Sequence, residues 1–363
     1  DNARVTAFMY ACSWGHKDVV QLLLDHSGRI KLNARSKRSN GGWTAFLYAC
    51  KNGHQDIVQL LLNHSERIEL NARNDLGLTA FMEACLKGHK DVVKLLLDHS
   101  DKIELNARRV DNGWTAFMWA CFSGRKDVVQ LLLDHSDIIK LNARDNCGWT
   151  AFMWACRNGQ TDVVKLLLDH SGRIELNARR NGGMTAFIGA CRYGKVQVVK
   201  FLLKDPNIEL NTGDNEGWTA FMWACYNRHK DVVQLFLANS ERIELNARTN
   251  NGGTTFLNAC HWGHKDVVQL LLDHSERIEL NARDNSGKTA FMGACFCGHK
   301  AVVKLLLDHS DRIELNARDN NGRTAFMWAC QFGGKNAVKL LLKHLDVVDI
   351  NIPLPEGVQL TED

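Results

Sequence analysis

No charge of one sign dominates this chain. Its 363 residues carry a formal net charge of +4, which gives no reason to expect a polyanion such as nucleic acid as a partner. No apolar run approaches the ~18–20 residues needed to cross a bilayer, and no signal peptide opens the sequence, so membrane insertion is not expected. No C-x-x-C occurs, which removes the usual spacing of a zinc site. No G-x-x-x-x-G-K-S/T or G-x-G-x-x-G follows a strand-like run, so a phosphate cradle is missing. No unique serine or cysteine stands beside a histidine and an orienting acid. Catalytic, cofactor-binding and metal-binding residues are therefore expected to be none, and the chain reads as a non-enzyme. An initiator methionine is also missing. Asp1-Asn2-Ala3-Arg4-Val5-Thr6 aligns with Asp145-Asn146-Cys147-Gly148-Trp149-Thr150, in the middle of a repeat, and the chain is expected to be a piece of something longer.

What is present is one unit written ten times. Thr115-Ala116-Phe117-Met118-Trp119-Ala120-Cys121 recurs at Thr150–Cys156, Thr219–Cys225 and Thr324–Cys330. Looser copies end at Cys12, Cys50, Cys85, Cys191, Cys260 and Cys295. The ten cysteines follow one another at steps of 38, 35, 36, 35, 35, 34, 35, 35 and 35 residues. A fixed period of this length means small units stacked in a row rather than a single globular core. Hydrophobic residues at 45% are enough to fill such a stack. Ten of the 12 cysteines belong to the series and lie about a repeat apart, beyond disulfide reach. They read as small buried thiols in a reducing, cytoplasmic compartment.

In repeat four, Asp111-Asn112-Gly113 signals a turn. Thr115 can cap a short helix over Ala116 to Phe122, with Phe117, Ala120 and Cys121 on one face. Gly124 breaks the chain in the left-handed conformation. A second helix runs from about Lys126 to Asp134. Its Val128, Val129, Leu131, Leu132 and Leu133 make it apolar almost all round, so burial between neighbours is expected. Ile139-Lys140-Leu141 alternates like an extended arm. The histidines that end the apolar helix (His26, His64, His99, His135, His170, His274 and His309) suit free C-terminal carbonyls. Those at the start of the second helix (His16, His54, His89) give way elsewhere to Arg125, Gln160 and Lys195, so a ligand role is not required.

The T-A-F-M-x-A-C heptad followed by G-H-K-D-V-V-x-L-L-L, as at Gly15–Leu24 and Gly263–Leu272, resembles the ankyrin repeat. The resemblance covers Asp1 to about Ile352. It departs from the family in two respects. Ala and Met replace the usual Pro and His, and the link after the second helix is two residues longer. It implies an all-α solenoid of helix-turn-helix units with extended, β-hairpin-like arms, as one array over residues 1–352 with a tail over 353–363. Its further implication is a monomeric protein-interaction scaffold that binds a partner protein or peptide in a concave groove.

The groove positions would be the residue before Thr, the fifth letter of the heptad and the pair after Cys. They hold Trp43, Tyr48, Trp114, Trp119, Phe122, Trp149, Trp154, Trp218, Trp223, Tyr226, Trp262 and Trp328. All ten tryptophans fall in this set once Trp14 is counted. Tryptophan is enriched at binding hot spots, yet the same rings could pack on neighbouring repeats. The alternative to a free-standing scaffold is a regulatory or targeting arm of a larger enzyme or channel. Three irregularities stand out. A basic turn holds Arg35, Lys37 and Arg38, with Arg29 and Lys31 nearby. Pro206, Thr212-Gly213 and Arg228 mark an expected hinge between repeats six and seven. The arginines after each Asn-Ala form a ladder whose default partners are the neighbouring acids.

Overall fold

The computed structural model describes residues 5–26, 28, 30–37, 41–239, 241–332 and 334–353. The tail from Leu354 onward, and Arg29 and Arg38 of the basic turn, lie outside them. Among the described residues there are helices, turns and bends but no strand. The chain divides into two compact units, the first holding residues 1–181 and 205–207, the second residues 182–204 and 208–363.

The first unit carries five helix pairs: Ala7–Trp14 with Lys17–Asp25, Ala45–Asn52 with Gln55–Leu62, Ala80–Lys87 with Lys90–Asp98, Ala116–Phe122 with Lys126–Asp134, and Ala151–Asn158 with Thr161–Asp169. The second carries Ala186–Arg192 with Val196–Lys204, Ala220–Tyr226 with Lys230–Ala238, Thr255–His261 with Lys265–Leu272, Ala290–Phe296 with Lys300–Leu307, and Ala325–Gln331 with Lys335–Leu341. Within each unit, first helices pack on first helices and second on second.

The start of each first helix is fixed by its threonine. Thr115 Oγ1 accepts from Met118 N at 3.3 Å, satisfying one of the amides that a helix N-terminus leaves free. The interior letters are what the stack closes on: Ala116, Phe117, Ala120 and Cys121 are all buried. Small Ala and Cys side chains let the next first helix approach. The second helix departs from the expectation of all-round burial. Val128, Val129, Leu132 and Leu133 are buried, while Leu131 is only half-buried. In the first repeat Val19 and Leu22 are exposed. One stripe of this helix faces its neighbours, and the rest meets solvent.

The glycine between the helices does two jobs. Gly53 has φ +79°, and a Cβ there would lie 2.5 Å from Nδ1 of His89 in the next repeat. The left-handed turn and the close approach of that ring both need glycine. The ring is there because His89 Nε2 donates to Lys51 O at 2.7 Å, on the preceding repeat. His54 reaches Ser13 O in the same way at 2.9 Å. Arg125 reaches Leu86 O at 3.0 Å, and Gln160 reaches Phe122 O at 2.8 Å. His, Arg and Gln each supply there a donor that spans two repeats, whereas His264 Nε2 is buried without a partner and Gly334 offers no side chain.

The arms are also held by side chains. Asn71 Nδ2 donates to Lys102 O and its Oδ1 accepts from Glu104 N, both at 2.9 Å. Asn246 does the same with Arg277 O and Glu279 N. One amide thus pairs with two backbone groups of the next repeat where a β-ladder would otherwise form. The longer link forms a turn rather than a bulge. Ile139 N donates to His135 O at 3.1 Å, and His135 Nδ1 donates to Leu131 O at 2.8 Å. A carbonyl can only accept, so the proton sits on Nδ1. Ile139 and Leu141 of the arm are buried.

Pro206 lies in the short segment 205–207 that groups with the first unit, and Arg228 lies within the second. Inside the second unit the inter-repeat bonds continue past them. His229 Nε2 donates to Arg192 O at 2.9 Å, and Asn211 Nδ2 to Arg242 O at 3.1 Å. Side-chain bonds from repeat to repeat thus continue across the place of the expected hinge. Arg228 instead adopts the glycine conformation, with φ +60°, as the only non-glycine among the described residues with positive φ. It forms an ion pair with Asp266 at 3.1 Å, shared with Lys230 at 3.2 Å. Burial alone would raise Asp266, but the Arg228 and Lys230 hydrogen bonds outweigh it and hold the carboxyl at about 2. Arg228→Gly is expected to stabilise the second unit by about 0.5–1 kcal/mol. Release of left-handed strain exceeds the loss of a pair whose Arg228 end is exposed, because Lys230 still pairs with Asp266. The check is the urea midpoint, and a midpoint lower than wild type refutes the expectation.

Candidate functional site

The turn, the fifth letter and the pair after Cys meet on one face of each repeat. In the first unit, Trp114 lies 4.4 Å from Trp119, 5.0 Å from Phe122 and 4.6 Å from Trp154 between ring centroids. Trp154 stacks on Trp149 at 4.8 Å. Trp43 stacks on Tyr48 at 5.3 Å. In the second unit, Trp218 lies 5.2 Å from Trp223 and 5.3 Å from Trp262, and Tyr226 meets Trp262 at 4.8 Å. Phe296 carries the series on to Trp328 at 5.5 Å and Phe332 at 4.5 Å.

Burial sorts the twelve expected site residues. Trp43, Trp114, Trp149, Trp154 and Trp328 are buried and pack the array. Tyr48, Trp119, Phe122, Trp218, Trp223 and Trp262 are half-buried. Tyr226 is 41% exposed. Four further exposed rings occupy the same positions: Tyr10, Trp14, Tyr193 and Phe332, with Trp14 at 71%. The face that a partner could touch is thus made less of tryptophan than the composition suggests.

Three of the fifth-letter tryptophans are held by acids that the repeat pattern does not advertise. Trp154 Nε1 donates to Asp145 Oδ2 at 3.1 Å, Trp223 Nε1 to Asp214 Oδ2 at 2.9 Å, and Trp328 Nε1 to Asp319 Oδ2 at 3.1 Å. The other oxygen of each aspartate closes the turn. Asp145 Oδ1 accepts from Cys147 N at 2.9 Å and Trp149 N at 2.8 Å. In repeat three an amide–acid pair takes the place, Asn74 Nδ2 donating to Glu83 Oε1 at 3.4 Å. Burial pushes the Glu83 carboxyl up, against the pull of Lys51, Lys87 and Asn74. In repeat four the turn position is filled by Arg109, which cannot accept, and Trp119 Nε1 is buried without a hydrogen bond. The signal for this pairing was available, since Asp stands nine residues before Trp in repeats five, seven and ten.

Cations cap these rings. Lys51 lies 4.2 Å from the Trp43 centroid, Arg192 4.1 Å from Trp223, and Lys288 and Arg323 lie 4.1 Å and 4.2 Å from Trp328. The acids of the face are drawn inward by indoles while the cations lie over the rings. The arginine ladder, in contrast, is used internally. Arg144 Nη1 donates to Arg179 O at 2.7 Å and Nη2 to Glu175 at 3.1 Å, and Arg283 repeats the pattern with Arg318 O and Glu314.

Among the described residues, no group of three or more His, Cys, Asp or Glu side chains converges as a metal site, and no helix is long and apolar enough to cross a membrane. Nine thiols of the series are buried, while Cys147, Cys297 and Cys330 are exposed. No curated protein matches the chain. A family model described as ankyrin repeats in three copies matches residues 1–74, 66–145, 138–214, 207–284 and 276–353. With nearly the whole described length matched and the helix pairs stacked in register, the chain belongs to the ankyrin-repeat family.

Proposed function

We propose that the chain is a non-enzymatic scaffold that binds a partner protein or peptide across the aromatic face of its first helices. Ankyrin repeats generally mediate protein–protein interaction. The observation that carries the finer reading is where the exposed rings lie. Tyr10, Trp14, Tyr193, Tyr226 and Phe332 all stand at the fifth letter or just after the cysteine. Large amphipathic rings left open at repeating positions are what interface anchors need. A nucleic-acid partner is disfavoured because the arginine ladder is already spent on neighbouring carbonyls and glutamates. A reducing, cytoplasmic location suits an array whose core rests on small neutral thiols.

Trp154 and Trp223 make poor probes, since each anchors a turn aspartate. The better test is a triple variant, Tyr193→Ala, Tyr226→Ala and Phe332→Ala, used with the wild type to capture partners from lysate of the source cells. The captured protein is expected to be lost while circular dichroism and the melting temperature stay unchanged. Undiminished capture by a folded triple variant removes this face from consideration.

A further inference from the structure

Repeat nine breaks a rule that its neighbours keep. Asp284 closes its turn as the others do, with Oδ1 accepting from Ser286 N at 2.8 Å and Lys288 N at 2.9 Å. Nine residues on, where Asp214 meets Trp223 and Asp319 meets Trp328, stands Gly293. Among the described residues no hydrogen bond reaches Asp284 Oδ2. Gly293 sits inside the helix Ala290–Phe296, where glycine is disfavoured. Nothing close demands it, since a Cβ would lie 3.5 Å from His261 Cβ and 3.7 Å from its Cα, ordinary contact distances. On the repeat-eight side, Gly253 stands where repeats four and five have tryptophan. Next to Gly253, the Asn258 side-chain Nδ2 is buried without a partner. His261 and Phe296 lie parallel at 6.2 Å beside Gly293. Repeat nine therefore keeps the acceptor of the indole site and lacks the indole.

We infer that this place seats the tryptophan of an acidic partner segment, its indole N–H donating to Asp284 Oδ2 as Trp223 and Trp328 donate to Asp214 and Asp319. The internal copies supply the template for the ring. Charge supplies the rest. Lys288 spans from Phe296, at 5.5 Å, to Trp328, at 4.1 Å, and Arg323 lies over the same Trp328. Arg323 is already paired with Asp319 at 3.4 Å, so a carboxylate flanking the incoming tryptophan would meet Lys288. The inference rests on the reading of this face as a docking surface and names the chemistry it selects.

The test is fluorescence anisotropy with a labelled peptide that carries one tryptophan among glutamates. Its counterparts have phenylalanine in place of the tryptophan, or glutamines in place of the glutamates. The tryptophan peptide is expected to bind about tenfold more tightly than the phenylalanine one, the worth of a hydrogen bond to a charged acceptor. The glutamine peptide is expected to bind more weakly. Asp284→Asn should abolish the preference while keeping the fold, because Asn74 closes the equivalent turn of repeat three with bonds from Leu76 N and Leu78 N. Gly293→Trp should fill the seat from within, block the peptide and melt no lower than wild type, whereas Gly293→Ala should leave binding unchanged. Equal binding of the tryptophan and phenylalanine peptides overturns the inference, as does a lower melt for Gly293→Trp. Binding that survives both Asp284→Asn and Gly293→Trp but is lost in Tyr226→Ala also overturns it, and leaves the docking face standing. Displacement of the peptide by an oligonucleotide of equal charge overturns the partner class.

Discussion

Stability is expected to collapse between about pH 9 and pH 10, far more steeply than for a protein of this size with exposed thiols. Burial raises Cys12 to about 12 and pushes Cys50, Cys85, Cys121, Cys156, Cys225, Cys260 and Cys295 well above the ordinary thiol range. An unfolded thiol ionises near 8.5. Above that pH the unfolded chain binds fewer protons than the folded one, so stability falls as pH rises. The contribution is complete below the unfolded value and is lost progressively toward the folded one. Each such thiol costs about 1.4 kcal/mol per pH unit. Five of them lie in the first unit and three in the second, so the slopes reach about 7 and about 4 kcal/mol per pH unit. The first unit should therefore unfold first. Urea midpoints measured from pH 7.5 to pH 10 test this. Cys121→Ala with Cys156→Ala should flatten the first transition by about 3 kcal/mol per unit. An unchanged slope in that variant would assign the alkaline loss to other groups. At pH 8, iodoacetamide should modify Cys147, Cys297 and Cys330 and leave the buried thiols untouched.

The same cysteines show what could be read from the letters alone. Their spacing set the number of units, and threonine and glycine set the helix limits. The helices Ala116–Phe122 and Lys126–Asp134 have the bounds that Thr115, Gly124 and the apolar spacing imply. The histidines at the ends of the second helices close on carbonyls four residues back, as the chemistry of a helix C-terminus requires. Less legible was anything that depends on a neighbour one period away. Leu131 and Leu133 are the same letter, and only the position of the adjacent helix decides that one is half-open and the other buried. The tryptophans were located but not sorted. Trp114 and Trp119 are five residues apart, yet one is buried and the other half-open, because Trp154 of the next repeat packs against the first. The aspartate that holds an indole lies in a turn already explained by its own backbone bonds, so its second oxygen raised no question until the ring was seen above it.

Asp145→Ala is expected to destabilise the first unit by about 3–4 kcal/mol, the largest loss from any single side chain on this face. The carboxylate is buried and serves three donors, the Cys147 and Trp149 amides and the Trp154 indole. Alanine leaves the Trp149 amide and the indole N–H buried and unpaired, at about 1–3 kcal/mol each. Graded substitutions separate the parts. Asp145→Asn keeps the turn, as Asn74 does in repeat three, and loses only the indole acceptor. Trp154→Phe removes the donor instead and leaves one buried oxygen short of a partner, at about 1–2 kcal/mol. Trp119→Phe is the control, because that indole already lacks an acceptor. It should cost less than about 0.5 kcal/mol and could raise stability. The expected order of urea midpoints is Asp145→Ala lowest, then Trp154→Phe, then wild type level with Trp119→Phe. Equal losses for Trp154→Phe and Trp119→Phe would mean that ring packing, not the aspartate, holds the tryptophans, and the seat assigned to repeat nine would lose the template on which it is built.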